Sequence, residues 1–470
     1  MRYISTRGGA EPLSFADVLL EGLASDGGLF VPESWPALPS IPPGASYVDT
    51  AFAVMWPFVE GSLSKSEFAE IISEAYATFH TPPGSEPDVV PVSEVGDNQW
   101  LAEIYWGPTL AFKDIAMQLL GRLFDHELDR RGERITIVGA TSGDTGSAAI
   151  DACKDREHID IFILHPYGRT SEVQRRQMTT VTSANVHNLA IDGTFDDCQD
   201  IVKALFADEA FRREQNLSAV NSINWARVMA QIVYYVTSAG AVNQRLGREA
   251  TSPVSFCVPT GNFGNVFAGY GAMQMGLAVD QLVIASNTND ILTRFFESGV
   301  MALQEVVPTL SPSMDIQVSS NFERLLFDMV GRDGSALSEM MMQFRGEGSV
   351  SVEQHRLDWL SERFVAGRYS DEQCVAEMAA HFERTGVQID PHTAVGLGVG
   401  RSLRRSTETP LICLGTAHPA KFPDAVKQAT GHSPELPVGL SDLFERPERF
   451  ERCPNDVAAV RQIVRANVSL

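Results

Sequence analysis

The chain has 470 residues, 44% of them hydrophobic and 21% charged, a composition that excludes disorder over most of its length and leaves room for two or three domains with sizeable cores. Its 37 Lys and Arg stand against 60 Asp and Glu, for a net charge of -23, which excludes the broad basic face that nucleic acid or an anionic membrane requires. An anionic small molecule stays compatible with this balance if a few cations gather in one cleft.

The six cysteines (Cys153, Cys198, Cys257, Cys374, Cys413 and Cys453) are scattered, with no CxxC and no metal-ligand spacing, so neither a disulfide framework nor a metal site is expected. The opening MRYISTRGGAEPLSF lacks an apolar leader core, and nowhere do about 18 uncharged apolar residues run together. These features predict a soluble cytoplasmic protein with a small-molecule ligand, no membrane, no nucleic acid and no evident protein partner.

In chain order, residues 1–92 carry short helical patterns at Phe15–Leu23, Tyr47–Phe58 and Ser66–Phe79, broken by Asp26-Gly27-Gly28 and Pro82-Pro83-Gly84, which predicts a helical N-terminal region. The stretch GPTLAFKDIAMQLLGRLF follows. Ile115, Ala116, Leu119, Leu120, Leu123 and Phe124 repeat at helical spacing and should face a core, yet Lys113 stands at the helix mouth behind Leu110, Ala111 and Phe112. Such a lysine can be a snorkelling surface residue, a point charge for a phosphate, or a desolvated amine for Schiff-base chemistry, where only the neutral form attacks a carbonyl.

Beyond it, ITIVG (135–139) reads as a strand, followed by a small-residue loop and the helical SAAIDACKD; IDIFILHP (159–166) reads as the next strand. The unit recurs as VSFCV, loop PTGNFGN, helix VFAGYGAMQMG and strand LVIAS, and again as LICL, loop GTAHPAK and helix FPDAVKQAT. Strand, polar loop, helix, strand is the signature of a parallel sheet with crossover helices, whose ligands bind at the carboxyl ends of the strands. The predicted division is a smaller domain over 93–230 and a larger one over 231–470, the latter interrupted by a helical excursion near 297–385.

Three polar loops fit such a cleft. In PTGNFGN (259–265), Gly261 and Gly264 let backbone N–H groups approach an anion at a helix start; the alternative is a glycine turn closing a βα unit. In GATSGDTG, Thr141, Ser142 and Thr145 set hydroxyls beside helix-start N–H groups, as a carboxylate would need; the alternative is a helix cap from Asp144 or Thr145. In NSINWAR, Asn221 and Ser222 accompany Arg227, whose fork suits a phosphate or carboxylate; the alternative is an asparagine-capped helix start with a surface arginine.

The segments STRG (5–8), DGGLFVPE (26–33), GPTLAFKD, SGDTG, NSINWAR, GNFGN, DPHTAVG (390–396) and LGTAHPAKF (414–422), in this order, make the chain resemble the threonine synthase family, in its longer form with an N-terminal extension. The resemblance implies an α/β fold of pyridoxal-phosphate fold type II, the tryptophan synthase β-like group, with two parallel-sheet domains and a helical N-terminal region. It implies a lyase that uses pyridoxal 5'-phosphate to convert O-phospho-L-homoserine and water into L-threonine and phosphate, in threonine biosynthesis. Position by position, Lys113 matches the lysine that binds the cofactor and acts as general base, with Phe112 near the ring. Gly261, Asn262, Phe263, Gly264 and Asn265 match the cup for the cofactor phosphate, and Thr416 matches the hydroxyl facing the pyridine nitrogen. Thr141, Ser142, Asp144 and Thr145 match the substrate loop; where related enzymes place an asparagine near the cofactor's 3-oxygen, this chain has Asp144. Asn221, Ser222 and Arg227 match the residues that hold the substrate phosphate, with Asn262 sharing it.

Overall fold

Ile159–Pro166 is buried along its whole length, as befits a strand covered on both faces. It lies inside a five-stranded sheet of order Glu451–Cys453, Val186–Ile191, Ile159–Pro166, Ile135–Ala140, Leu217–Ser218, with every pairing parallel. A second, six-stranded sheet runs Phe364–Arg368, Val279–Ser286, Val254–Pro259, Leu411–Gly415, Gln99–Glu103, Val92–Gly96; only the last pairing is antiparallel. The computed structural model describes residues 1–80, 88–141, 143–219 and 221–468. The Pro82-Pro83-Gly84 turn and Ser142 lie outside the described residues.

The sheet membership differs from the division at 93 and 231. Val92–Gly96 and Gln99–Glu103 pair into the larger sheet, and Glu451–Cys453, at the far end of the chain, joins the smaller one. Each strand buries its face where a partner of matching register exists, and that choice is made by pairing rather than by chain order. The 297–385 stretch is helical at Phe322–Met329, Gly334–Glu347 and Asp371–Thr385, but Phe364–Arg368 inside it forms the edge of the larger sheet. Five residues containing Gly367 and Arg368 carry too little apolar alternation to reveal that strand.

The N-terminal residues form a small antiparallel pair, Tyr3–Ser5 with Phe30–Pro32, and the helices Phe15–Glu21, Tyr47–Val59 and Lys65–Tyr76. Ser64 and Glu67 make a reciprocal capping box that starts the last of these. Lys113–Arg131 is the helix anticipated from periodicity, and Ile115, Ala116, Leu119, Leu120, Leu123 and Phe124 are all buried. It packs against Trp225–Arg245, a helix buried nearly all round, and stops at Gly132 in the left-handed conformation, φ +68°. Among the described residues no helix is long and apolar enough to cross a membrane, and no group of three or more His, Cys, Asp or Glu could hold a metal ion.

Candidate active site

Lys113 is the first residue of its helix, and the loop before it is built to aim it. Asp114 turns back and accepts hydrogen bonds from Thr109 N at 2.8 Å and Thr109 Oγ1 at 2.6 Å. Gly107 has no alternative there, since a Cβ would lie 2.3 Å from that of Asp114. Burial raises the Asp114 carboxyl to about 7. The same loop is stitched to the end of strand Leu411–Gly415: Phe112 N donates to Thr416 O at 2.9 Å, His418 N donates to Leu110 O at 3.0 Å, and Ala111 faces Ala417 in an antiparallel bridge. Lys113 and Thr416 are therefore held by one backbone frame.

The Lys113 side chain is only 12% exposed, which removes the snorkelling reading. Its Nζ lies 3.6 Å from Asp144 Oδ2 and 5.8 Å from the Phe112 ring centroid. Desolvation lowers the pKa of the amine below its usual value; Asp144 opposes that shift, and Arg227 and Lys421 add to it.

Asp144 is buried and its two oxygens are used differently. Oδ1 lies 3.2 Å from Lys421 Nζ and accepts from Gln174 Nε2 at 2.8 Å; Oδ2 faces Lys113 and accepts from Ser313 Oγ at 3.3 Å. Burial disfavours its charge, but Lys421 and Lys113 together overcome that and hold the carboxyl far below the usual range. Lys421 is fully buried and also donates to Thr109 O at 2.6 Å and Gln177 Oε1 at 2.7 Å. Ser313 is oriented in turn by His392, whose Nε2 accepts from Ser313 N at 3.2 Å and whose Nδ1 lies 2.8 Å from Asp390 Oδ1.

Neither Asp144 nor Thr145 caps the helix Asp144–Cys153. Thr141 does that work: its Oγ1 accepts from Gly143 N at 3.0 Å and Gly146 N at 2.9 Å, so this hydroxyl shapes the loop. Thr145 is half-buried at the first turn.

The PTGNFGN loop enters its helix through Phe263, whose φ of +62° is left-handed, and a Cβ on Gly261 would meet Ser313 O at 2.5 Å. Asn265, in the first turn, accepts at Oδ1 from both Tyr234 and Tyr235 hydroxyls, while its buried Nδ2 has no partner. Asn262 stands exposed at the loop tip. In NSINWAR, Asn224 caps the helix through Ala226 N at 3.0 Å, and Asn221 Oδ1 accepts from Ile223 N at 3.2 Å. Arg227 is not a surface residue: it is 4% exposed, and its Nε and Nη1 have no hydrogen-bond partner. Burial lowers its pKa to about 10. A buried guanidinium with unused donors is costly unless an anion completes it.

The described residues among those derived from sequence thus fall into one region at the carboxyl ends of both parallel sheets, with Arg227 close enough to Lys113 to disfavour its ammonium form. Gln174, Ser313 and Lys421 were not singled out from sequence; Lys421 lies in the LGTAHPAKF motif, whereas nothing local marks Gln174 or Ser313. The unpartnered Asn265 amide and Arg227 guanidinium, with a desolvated lysine between the loops, fit a ligand carrying a carbonyl and a phosphate.

Residues 92–342, which carry Lys113, Asp144, Arg227 and the PTGNFGN loop, match the family model described as pyridoxal-phosphate dependent enzyme. The chain is of that class, with the two-sheet architecture of fold type II, and its cofactor is pyridoxal phosphate. Residues 2–76 match the model for the threonine synthase N terminus, and residues 393–464 that for threonine synthase, C-terminal. The threonine synthase of Pseudomonas aeruginosa is 53% identical over 469 residues, covering 99% of this chain and 98% of its own. The crystal structure of PLP-bound threonine synthase from Brucella melitensis superposes with a TM-score of 0.95 at 47% identity over 100% of both chains, and the crystal structure of threonine synthase from yeast with 0.93 at 37% over 99% and 98%. The chain belongs to the threonine synthase family.

Proposed function

We propose that this protein converts O-phospho-L-homoserine and water into L-threonine and phosphate. The observation that carries this reading is Arg227, a buried guanidinium with free donors beside the reactive lysine. A dehydratase acting on serine or threonine needs the lysine and the glycine loop but has no use for a second phosphate site.

In this reading Lys113 would hold the cofactor, Gly261, Asn262, Phe263, Gly264 and Asn265 would cradle its phosphate at a helix start, and the Thr416 hydroxyl would serve its pyridine nitrogen. Pyridoxal phosphate, when bound, supplies the electron sink for negative charge developing at the substrate's amino-bearing Cα and then at Cβ. Lys113, freed by the incoming amine, removes the proton from Cα, and its lowered basicity keeps it available at neutral pH. Loss of a second proton, from Cβ, then supplies the electron pair that expels phosphate from Cγ, and Arg227, Asn221 and Ser222, with Asn262, hold that phosphate. Retained there, that phosphate is a base for the water added at Cβ. The loop that carries Thr141, Ser142 and Thr145 receives the substrate carboxylate. Asp144 keeps its charge because Lys421 balances it, so it orients the Lys113 amine without presenting a bare anion to the cofactor's 3-oxygen. The smaller unit is proposed to comprise residues 135–218 together with 451–468, and the larger unit the second sheet and its helices.

The test is phosphate release from O-phospho-L-homoserine with threonine as co-product. Oxobutanoate from threonine, with no phosphate released from the phospho-substrate, would replace this reading with a dehydratase.

A further inference from the structure

Two residues lie behind both phosphate loops without belonging to either. Asn321 Nδ2 donates to Ser222 O at 3.1 Å and to Asn262 O at 2.9 Å, and Asn321 N donates to Asn262 O at 3.0 Å. One amide thus spans the backbone of NSINWAR and the backbone of PTGNFGN. Arg324, one turn later and fully buried, donates through Nη1 to Asn321 Oδ1, through Nη2 to Ile223 O at 2.6 Å and through Nε to Phe30 O at 2.9 Å. All three acceptors are neutral, and its stacking against Trp225 at 5.8 Å adds no anion; the Glu323 carboxylate acts on the guanidinium through its field, without a hydrogen bond. The neighbouring carboxylate is occupied elsewhere: Glu323 accepts from Thr6 Oγ1 at 2.7 Å and from Arg7 Nε and Nη2 at 3.1 and 2.9 Å. Thr6 and Arg7 therefore anchor the helix Phe322–Met329 through Glu323, while Asn321 and Arg324 tie it to the two loops.

The geometry points to Asn321 and Arg324 as positioning residues that fix the spacing between the two phosphate loops, with Arg324 as a buried positive charge serving both. This rests on the proposed reading of those loops. The physical case is that each loop alone is a short turn with few constraints, and a shared donor removes their independent motion before any ligand binds. A cation hydrogen-bonded only to neutral oxygens in low-dielectric surroundings acts over a longer range than an exposed one. Burial, which pulls its pKa down to about 9, is the cost of placing it there.

The test uses the full-length protein. Asn321→Ala is expected to weaken inorganic phosphate binding, read by calorimetry on the holoenzyme, about tenfold, the scale of one lost hydrogen bond. The same variant should weaken pyridoxal phosphate binding to the apoprotein in parallel and raise KM for the phospho-substrate more than it lowers kcat. Arg324→Lys, which keeps the charge, should retain more phosphate affinity than Arg324→Met; a purely structural role would make the two equal at equal thermal midpoint. Wild-type affinity for both phosphates in Asn321→Ala, or equal behaviour of the two Arg324 variants, overturns the inference. Arg227→Ala belongs in the same titration: if it leaves phosphate affinity unchanged, the phosphate reading of the site fails; if it weakens affinity and Asn321→Ala does not, the bridge alone fails. Should Asn321→Ala not fold, Asn321→Ser keeps the comparison, with the same expected weakening and the same overturning result.

Discussion

Lys421 Nζ lies 3.2 Å from Asp144 Oδ1, on the side of the carboxylate opposite the Lys113 amine, which lies 3.6 Å from Oδ2. One anion between two cations explains how an aspartate can stand beside a lysine that must be neutral to react. Without Lys421, Asp144 would stabilise the Lys113 ammonium unopposed; with it, the fields partly cancel and desolvation prevails.

Lys421→Met should therefore raise the pKa of the Lys113 amine. Capture of a carbonyl by the apoprotein requires the neutral amine, so its acid limb should move to higher pH in the variant. The rate of pyridoxal phosphate capture across pH measures this; an unmoved limb would mean that Asp144 is neutralised by other groups. The groups facing the amine are Asp144, Arg227 and Lys421, with His392 acting on Asp144.

Lys113→Ala should abolish turnover, because Lys421, the other amine beside Asp144, is tied to Thr109 O and Gln177 Oε1 and so does not replace it in holding the cofactor and taking the Cα proton. Loss of the borohydride-reducible chromophore checks the first role, and substrate-exchange measurements in deuterated water check the second.

Arg227→Met should weaken binding of the phospho-substrate by about 2 to 5 kcal/mol, the effect of removing a desolvated charge partner. The same change should raise the thermal midpoint of the ligand-free protein, since a buried cation with unused donors is replaced by a side chain of similar volume. Binding kinetics and thermal unfolding, taken together, separate these two effects.

Asp114 sets a pH dependence of stability. Its pKa is raised by burial from 3.8 to about 7 in the folded chain, so the native state binds the proton more tightly than the unfolded one. The stabilisation from protonated Asp114 is present below about pH 4 and is lost as pH rises through about 7. Asp114→Asn should flatten that decline in a series of thermal midpoints; an unchanged slope would assign the decline to other groups.

The loops were legible because their information is local. A glycine at a helix mouth, a β-branched run before it and a lysine behind apolar residues each announce themselves within a few positions, and the helix from Lys113 had the period its buried face required. The NSINWAR reading was divided locally: the asparagine cap is real, at Asn224, but the arginine beside it is buried rather than exposed, and burial of one side chain depends on what folds over it. Thr141 shows the same limit from the other side, since a hydroxyl suited to a ligand is also suited to a helix start.

By itself the sequence determined the alternation of strands and helices, the three anion-ready loops, the lysine at the helix mouth and, through the order of its motifs, the family. Only the tertiary structure decided that Glu451–Cys453 completes the smaller sheet, that Lys421 balances Asp144, and that Asn321 and Arg324 lie behind both loops. The reason is physical: backbone propensities and caps act over a turn or two of chain, whereas a buried charge is tolerated only beside the particular partner that packing brings to it, and that partner has no preferred distance along the sequence.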